Sequence, residues 1–260
     1  MTQENQITPW KPAAFAGSDL LPVSASAPRD RSQLVGRENV EESDLILPTL
    51  RLLQGQSPAV VEGSVPGARP GVFMHSTSQM LFEPPIRVLV IAHTKSNALF
   101  PNANDPRSVG LERCVSRDAI EGTVYGLCDE CKKCTEWDGR KPPIGAQSHN
   151  LVVMTEHGPA ILRFSRTSFQ DAKAFITTWM MSDKNLWAHP VVVRVKKEPK
   201  LLPSGQQTTF CTAAPSWIQT EVTPPEVQAM ALAWHQKIMA AHGSGKLSGD
   251  DDTDKSNVPF

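Results

Sequence analysis

Four of the chain's five cysteines fall between residues 114 and 134, and they limit what that stretch can become. Cys114 stands alone, and the run CDECKKC supplies Cys128, Cys131 and Cys134. Around them, residues 94–147 lose apolar periodicity, so the segment has no pattern from which to build a core of its own. A C-x-x-C turn sets two sulfurs on one side of an ion, and divalent zinc takes four such ligands tetrahedrally. The spacing departs from two separate C-x-x-C pairs, because Cys131 belongs to both pairs of one run. The expected cofactor is a structural Zn2+ on Cys114, Cys128, Cys131 and Cys134, with an iron–sulfur cluster or unliganded thiols as alternatives. The cluster reading lacks a Cys-Pro after the third cysteine. If one sulfur stands aside, His149 or His157 is the replacement ligand. Four thiolates leave no open position for a substrate, which points to a clip that folds the loop rather than a catalyst. Cys211, in a predicted strand, reads as a small buried hydrophobe.

The chain has 260 residues, 40% of them hydrophobic and 20% charged, with 22 prolines. One central domain with loose flanks is expected. No run approaches the ~20 apolar residues that span a bilayer. The opening MTQENQITPWKP has neither the basic nor the apolar region of a signal peptide. The expected compartment is the cytoplasm, where thiols stay reduced and a disulfide framework is disfavoured.

Residues 1–43 carry Pro, Ser and mixed charge without periodicity and read as a flexible arm. In DLILPTLRLLQG (44–55), Pro48 forbids an unbroken helix, so an extended entry and then a short helical turn are expected. GVFMH (71–75) and PIRVLVIAH (85–93) read as strands, and residues 149–166 as a hairpin turning at EHGP. Residues 167–183 read as a helix capped by Ser168, with Phe169, Ala172, Ile176, Trp179 and Met180 on one face. PVVVRVKKE (190–198) pairs with QQTTFCTAAP (206–215). The last helix, from 224, has Thr223 and Glu226 as a capping box and buries Val227, Met230, Ala231, Trp234 and Ile238, unless that stripe is a dimer seam. The fold class is mainly β (α+β): an OB-fold-like antiparallel barrel over 44–223, with a zinc-binding Cys-rich insertion at about 110–145. A split α+β sandwich fits nearly as well. The terminal helix (224–242) and an acidic tail (243–260) follow.

Net charge is −1, yet residues 48–241 carry 20 basic against 16 acidic side chains and both ends are negative. A basic body with an acidic tail is compatible with a polyanionic partner. There is no phosphate-cradling glycine loop, no H-E-x-x-H and no G-x-S-x-G, so a binding protein rather than an enzyme is expected. Non-specific single-strand binding needs cations along a groove and rings on which bases stack. The candidate cations are Arg113, Lys132, Lys133, Arg163, Arg166, Arg194 and Lys196. The candidate rings are Tyr125, Trp137, Phe164 and Phe210. Asp129, Glu130, Glu136 and Asp138 offset the cations of the cysteine loop.

The chain closes on GDDDTDKSNVPF. An acidic run ended by an aromatic residue resembles the C-terminal tip of phage and bacterial single-stranded DNA-binding proteins, with Asp250, Asp251, Asp252, Asp254, Pro259 and Phe260 as the matching residues. One departure is that KSN separates the aspartates from VPF. The resemblance implies a protein that coats single-stranded DNA in phage replication, recombination or repair, within the bacterial host cytoplasm. It also implies recruitment of a polymerase, helicase or primase through the tail. Homo-oligomers are compatible with it. The competing reading is a zinc-stabilised or transcription-associated adaptor that binds proteins and no DNA, and a third is a metalloenzyme with an open coordination site.

Overall fold

The computed structural model describes residues 47–243, apart from 103, 104, 140, 156, 157, 202–204 and 206. The N-terminal arm and the acidic tip lie outside the described residues. In chain order the elements are β1 (Thr49–Leu52), a helical turn α1 (Pro58–Val61), β2 (Phe73–His75), β3 (Leu81–Phe82) and β4 (Ile86–Leu99). There follow β5 (Cys114–Ser116), β6 (Glu121–Gly122), β7 (Gly126–Leu127), a second helical turn α2 (Cys128–Cys131), β8 (Ala146–Thr155) and β9 (Gly158–Ser165). Helix α3 (Phe169–Met180), strands β10 (Val191–Leu201) and β11 (Gln207–Trp217), and helix α4 (Pro225–Gly243) complete the set. Among the described residues no helix is long and apolar enough to cross a membrane.

One mixed sheet of nine strands runs β11-β10-β4-β8-β9-β1-β2-β3, with β5 added to β4. Most pairings are antiparallel, but β1 lies parallel to β9, Thr49 opposite Ile161. The expectation of an all-antiparallel arrangement fails at that pair. The stretch after β1 then reaches back to β11 at the far side of the sheet. Gly55 N–H donates to the Thr209 carbonyl at 3.0 Å. Cys211 N–H donates to Gln54 Oε1 at 2.8 Å, and Gln54 Nε2 donates to the Cys211 carbonyl at 3.0 Å. Strands five places apart in the sheet order meet there, so the sheet curls into a half-barrel around its apolar side chains.

Strand β4 is longer than its apolar pattern. IRVLVIA is buried throughout except for Arg87, and HTKSNAL continues the ladder with Thr94, Ser96 and Asn97 also buried. These polar residues end the alternation that marks a strand in sequence. Across the sheet Asn150 Nδ2 donates to Ser96 Oγ at 2.9 Å, while Asn97 Oδ1 is buried without a partner. Register slips between Val90 and Ala92, leaving Ile91 as the extra residue of a bulge. His235 Nδ1–H, from α4, donates to the Ile91 carbonyl at 3.0 Å. The bulge and the last helix therefore fix each other, and Val227, Ala231 and Ile238 are buried in the core with Met230 and Trp234 packed against it.

Both expected helix caps are replaced. The Ser168 hydroxyl makes no cap bond and accepts from Ala213 N–H at 3.0 Å, tying the start of α3 to β11. Thr223 Oγ1 is buried without a partner, so the capping box before α4 is not formed. On α3 the buried residues are Ala172, Phe175 and Ile176, while Met180 lies out in solvent. At the other end of the chain, residues 49–52 form a strand and the helical turn comes later, at 58–61, because β9 offers a free edge to which β1 adds.

Replacing Gln54 with Ala removes both bonds to Cys211 and leaves two backbone groups without partners. We expect a loss of about 1–3 kcal/mol in urea unfolding with the fold retained; an unchanged midpoint would show that the β1–β11 bridge contributes nothing.

Candidate metal centre and nucleic-acid interface

The cysteine loop is built outward from the end of β4. Strand β5 pairs there, with Leu99 opposite Cys114. Asp118 then shapes the next turn, its carboxylate accepting from Ile120 N–H at 2.8 Å and from the Ser116 hydroxyl at 3.0 Å. The short β6–β7 hairpin follows, and Cys128 N–H donates to the Ile120 carbonyl at 2.8 Å. One helical turn carries Cys128 and Cys131. It stops at Lys132, which is left-handed at φ 54° and whose N–H returns to the Cys128 carbonyl at 2.9 Å. That reversal sends the chain back, and Cys134 follows; Gly145 N–H then donates to the Lys133 carbonyl at 2.9 Å as β8 begins.

All four loop cysteines are half-buried free thiols lining one cavity of about 20 Å³. Asn97, Leu99, Ser116, Tyr125 and Lys133 are among the other lining residues. Burial, together with the charges of Cys128, Cys131 and Cys114, pushes the Cys134 thiol up to about 11. Among the described residues, no set of three or more His, Cys, Asp or Glu side chains stands as a finished metal-binding group. Cys211 is buried in β11, as expected. His149 is not among the lining residues, and His157 lies outside the described residues.

His149 belongs to a different arrangement, which the sequence did not announce. On adjacent strands, His93 Nε2 and His149 Nδ1 share a hydrogen bond of 2.9 Å, and His149 stacks on Phe169 with ring centroids 4.5 Å apart. His149 Nε2 is buried without a partner. Burial holds both imidazoles down to about 4; His149 and Lys95 add repulsion at His93, and Lys95 and Lys173 add it at His149. The pair is neutral at pH 7. Two histidines 56 residues apart carry no local signal, and only the β4–β8 register brings them together.

The proposed nucleic-acid contacts separate into three groups. On the cysteine loop, Trp137 is 62% exposed. Tyr125 accepts from Glu112 N–H at 2.7 Å, and the Lys133 ammonium lies 5.0 Å from its ring centroid. Arg113 lies over Phe100 at 4.9 Å, and Lys132 is exposed. On β9, Arg163 Nε donates to Asn150 Oδ1 at 3.3 Å, and exposed Arg166 follows the strand's end, near enough to Cys134 for the two to interact electrostatically. On β10, exposed Arg194 donates to Ser216 Oγ at 3.1 Å, and Lys196 projects from the part of the β10–β11 hairpin beyond the β4 ladder. Phe210 is half-buried on β11. Phe164 is a correction: at 1% exposure it fills the core and has no face to offer a base. A broad open groove of about 710 Å³ between the turn after β1 and the β10–β11 hairpin has no ionisable residue among the described residues of its lining.

Fold and site together define a mainly β, α+β protein: a curled half-barrel sheet interrupted by a loop that gathers four thiols. The chain belongs to the Pam3 phage gp34-like protein family, whose model matches residues 17–206. The matched span holds all four loop cysteines and ends inside the β10–β11 hairpin. No curated protein and no solved structure matches the chain.

The histidine pair sets a pH dependence. Imidazoles that titrate near 6.5 when unfolded and near 4 when folded give stability that is complete above pH 6.5 and is lost as pH falls toward 4. We expect urea stability to drop across that window by at most about 3 kcal/mol for each imidazole, less where solvent screens it. His149→Phe, an apolar ring that can still stack on Phe169, flattens the curve; an unchanged slope in that variant would remove the pair as its cause.

Proposed function

We propose that the chain is a phage-type single-stranded DNA-binding protein of the OB-fold kind, without base preference. The observation that carries this reading is connectivity. Taking β4, β8, β9, β10 and β11 as five successive strands, the first pairs with both the second and the fourth, the fourth pairs with the fifth, and helix α3 joins the third to the fourth. The order suits the OB-fold barrel, in which the face of the second and third strands and the loops joining strands one–two and four–five hold oligonucleotides. Here those loops are the cysteine loop and the β10–β11 hairpin.

The chemistry at these places supports the same reading. Trp137 offers an open ring on the first loop, with Tyr125 and Lys133 beside the cavity. Arg163 and Arg166 belong to the third strand and its end, and Arg194 and Lys196 to the hairpin. Such a surface engages phosphates by charge and bases by stacking, with no fixed hydrogen-bond code. The acidic stretch with Asp250, Asp251, Asp252 and Asp254, followed by Pro259 and Phe260, would act separately, offering carboxylates and an aromatic ring to a replication or recombination enzyme. Its aspartates would compete with DNA for these same cations.

Fluorescence anisotropy on oligothymidine and on duplex of equal length is the test. We expect preference for the single strand, weakening with salt, and a loss of about 1–3 kcal/mol for Trp137→Ala. Removing residues 249–260 should tighten binding. A folded protein that ignores oligothymidine at low salt, with or without its tip, would overturn the proposal and leave the protein-binding adaptor as the reading to pursue.

A further inference from the structure

We propose that the cavity lined by Cys114, Cys128, Cys131 and Cys134 is a closed, structural binding site for a single zinc ion. The argument does not depend on DNA binding. It starts from the donors. Among the described residues four sulfurs line the cavity, and no carboxylate or imidazole does. An all-thiolate set selects a soft or borderline metal and disfavours magnesium, calcium or manganese.

Size narrows the choice. A cavity of about 20 Å³ is close to the room taken by one small sphere such as a water. It suits a lone ion better than an iron–sulfur cluster, which brings inorganic sulfides besides its irons. The sulfurs are not yet a finished ligand set, so binding requires them to close by side-chain rotation around this small volume.

The backbone has made way for those sulfurs. A Cβ on Gly145 would lie 2.3 Å from Cys134 Sγ and 3.0 Å from the Ala98 carbonyl oxygen. One on Gly122 would lie 2.6 Å from Cys114 Sγ. Two of the four sulfurs therefore occupy space that exists only because the residue beside each has no side chain. The left-handed Lys132 supplies the reversal between Cys131 and Cys134.

The loop also needs what an ion supplies. Strands β5, β6 and β7 are two or three residues long, and Ile120, Leu127 and Trp137 are exposed rather than packed beneath them. With so little apolar burial, ordering this stretch requires another source of free energy, and metal binding provides it. The closed donor set leaves no position for a substrate, so the ion holds the loop against β4 and β5 and does no chemistry.

Elemental analysis of the purified full chain tests the site, together with thiol titration under native conditions and cobalt exchange. The expected result is one zinc per chain, with the four loop thiols unreactive until a chelator is added. Cobalt in its place should give the strong absorption of a tetrahedral thiolate complex. Cys128→Ser should lose the ion and Cys211→Ser should keep it. The cobalt spectrum of the unmutated chain stands as a test even if Cys128→Ser fails to fold. Metal-free protein with four freely reacting thiols and no cobalt spectrum would overturn the proposal, and so would iron with acid-labile sulfide.

Discussion

The backbone ladder of β4 is the interaction on which the rest of the molecule depends. One edge of this strand pairs with β8 from Leu89 to Ala98. The other edge is shared, with β10 at its start and β5 at its end. Its segment Val88–Ala92 is buried from both sides, against the sheet's apolar interior on one face and α4 on the other. The bulge at Ile91 frees a carbonyl that His235 takes up, so a local irregularity becomes the joint by which the C-terminal helix is seated. Any change that shifts the β4 register also moves the histidine pair, the core and the root of the cysteine loop.

That loop departs from the logic of the sheet. The sheet is held by alternating apolar side chains and paired backbone groups, whereas the loop is held by turns: the Asp118 carboxylate, the Lys132 reversal and the close approach of two glycines to sulfur. It brings exposed aromatic and cationic groups to the edge of the half-barrel without contributing to the core. A loop of this kind can vary its surface residues while the β4–β8–β9 ladder stays fixed.

Much of this architecture was legible in the sequence. Residues 71–75, 149–166, 190–198 and 206–215 read as strands or a hairpin, and the structure places strands in each of these stretches. The stripe Val227, Ala231, Ile238 was legible by its helical spacing. The four cysteines were legible by theirs, and the structure brings them around one cavity. What escaped was either non-local or polar. The second half of β4 hides behind Thr94, Ser96 and Asn97, whose ladder partners on β8 lie fifty or more residues away. Strand β1 follows Pro48 and is defined by a parallel neighbour no window can see. Ser168 and Thr223 look like caps locally, but tertiary contacts claim the first and burial isolates the second. Phe164 and Arg163 are adjacent in one strand and point to opposite faces, so the stretch that offers a cation cannot also offer the ring.

In the function proposed, the curled sheet, the thiol-lined loop and the β10–β11 hairpin would together offer one surface to an unpaired polynucleotide. Photo-crosslinking of oligothymidine to the full chain, with the attached peptides mapped by mass spectrometry, tests that union most directly. The account expects attachment at Tyr125 or Trp137 and on the β10–β11 hairpin around Arg194 and Lys196, diminishing together as salt is raised. Cross-links confined to α4 or to the β2–β3 hairpin, or none at low salt, would contradict it.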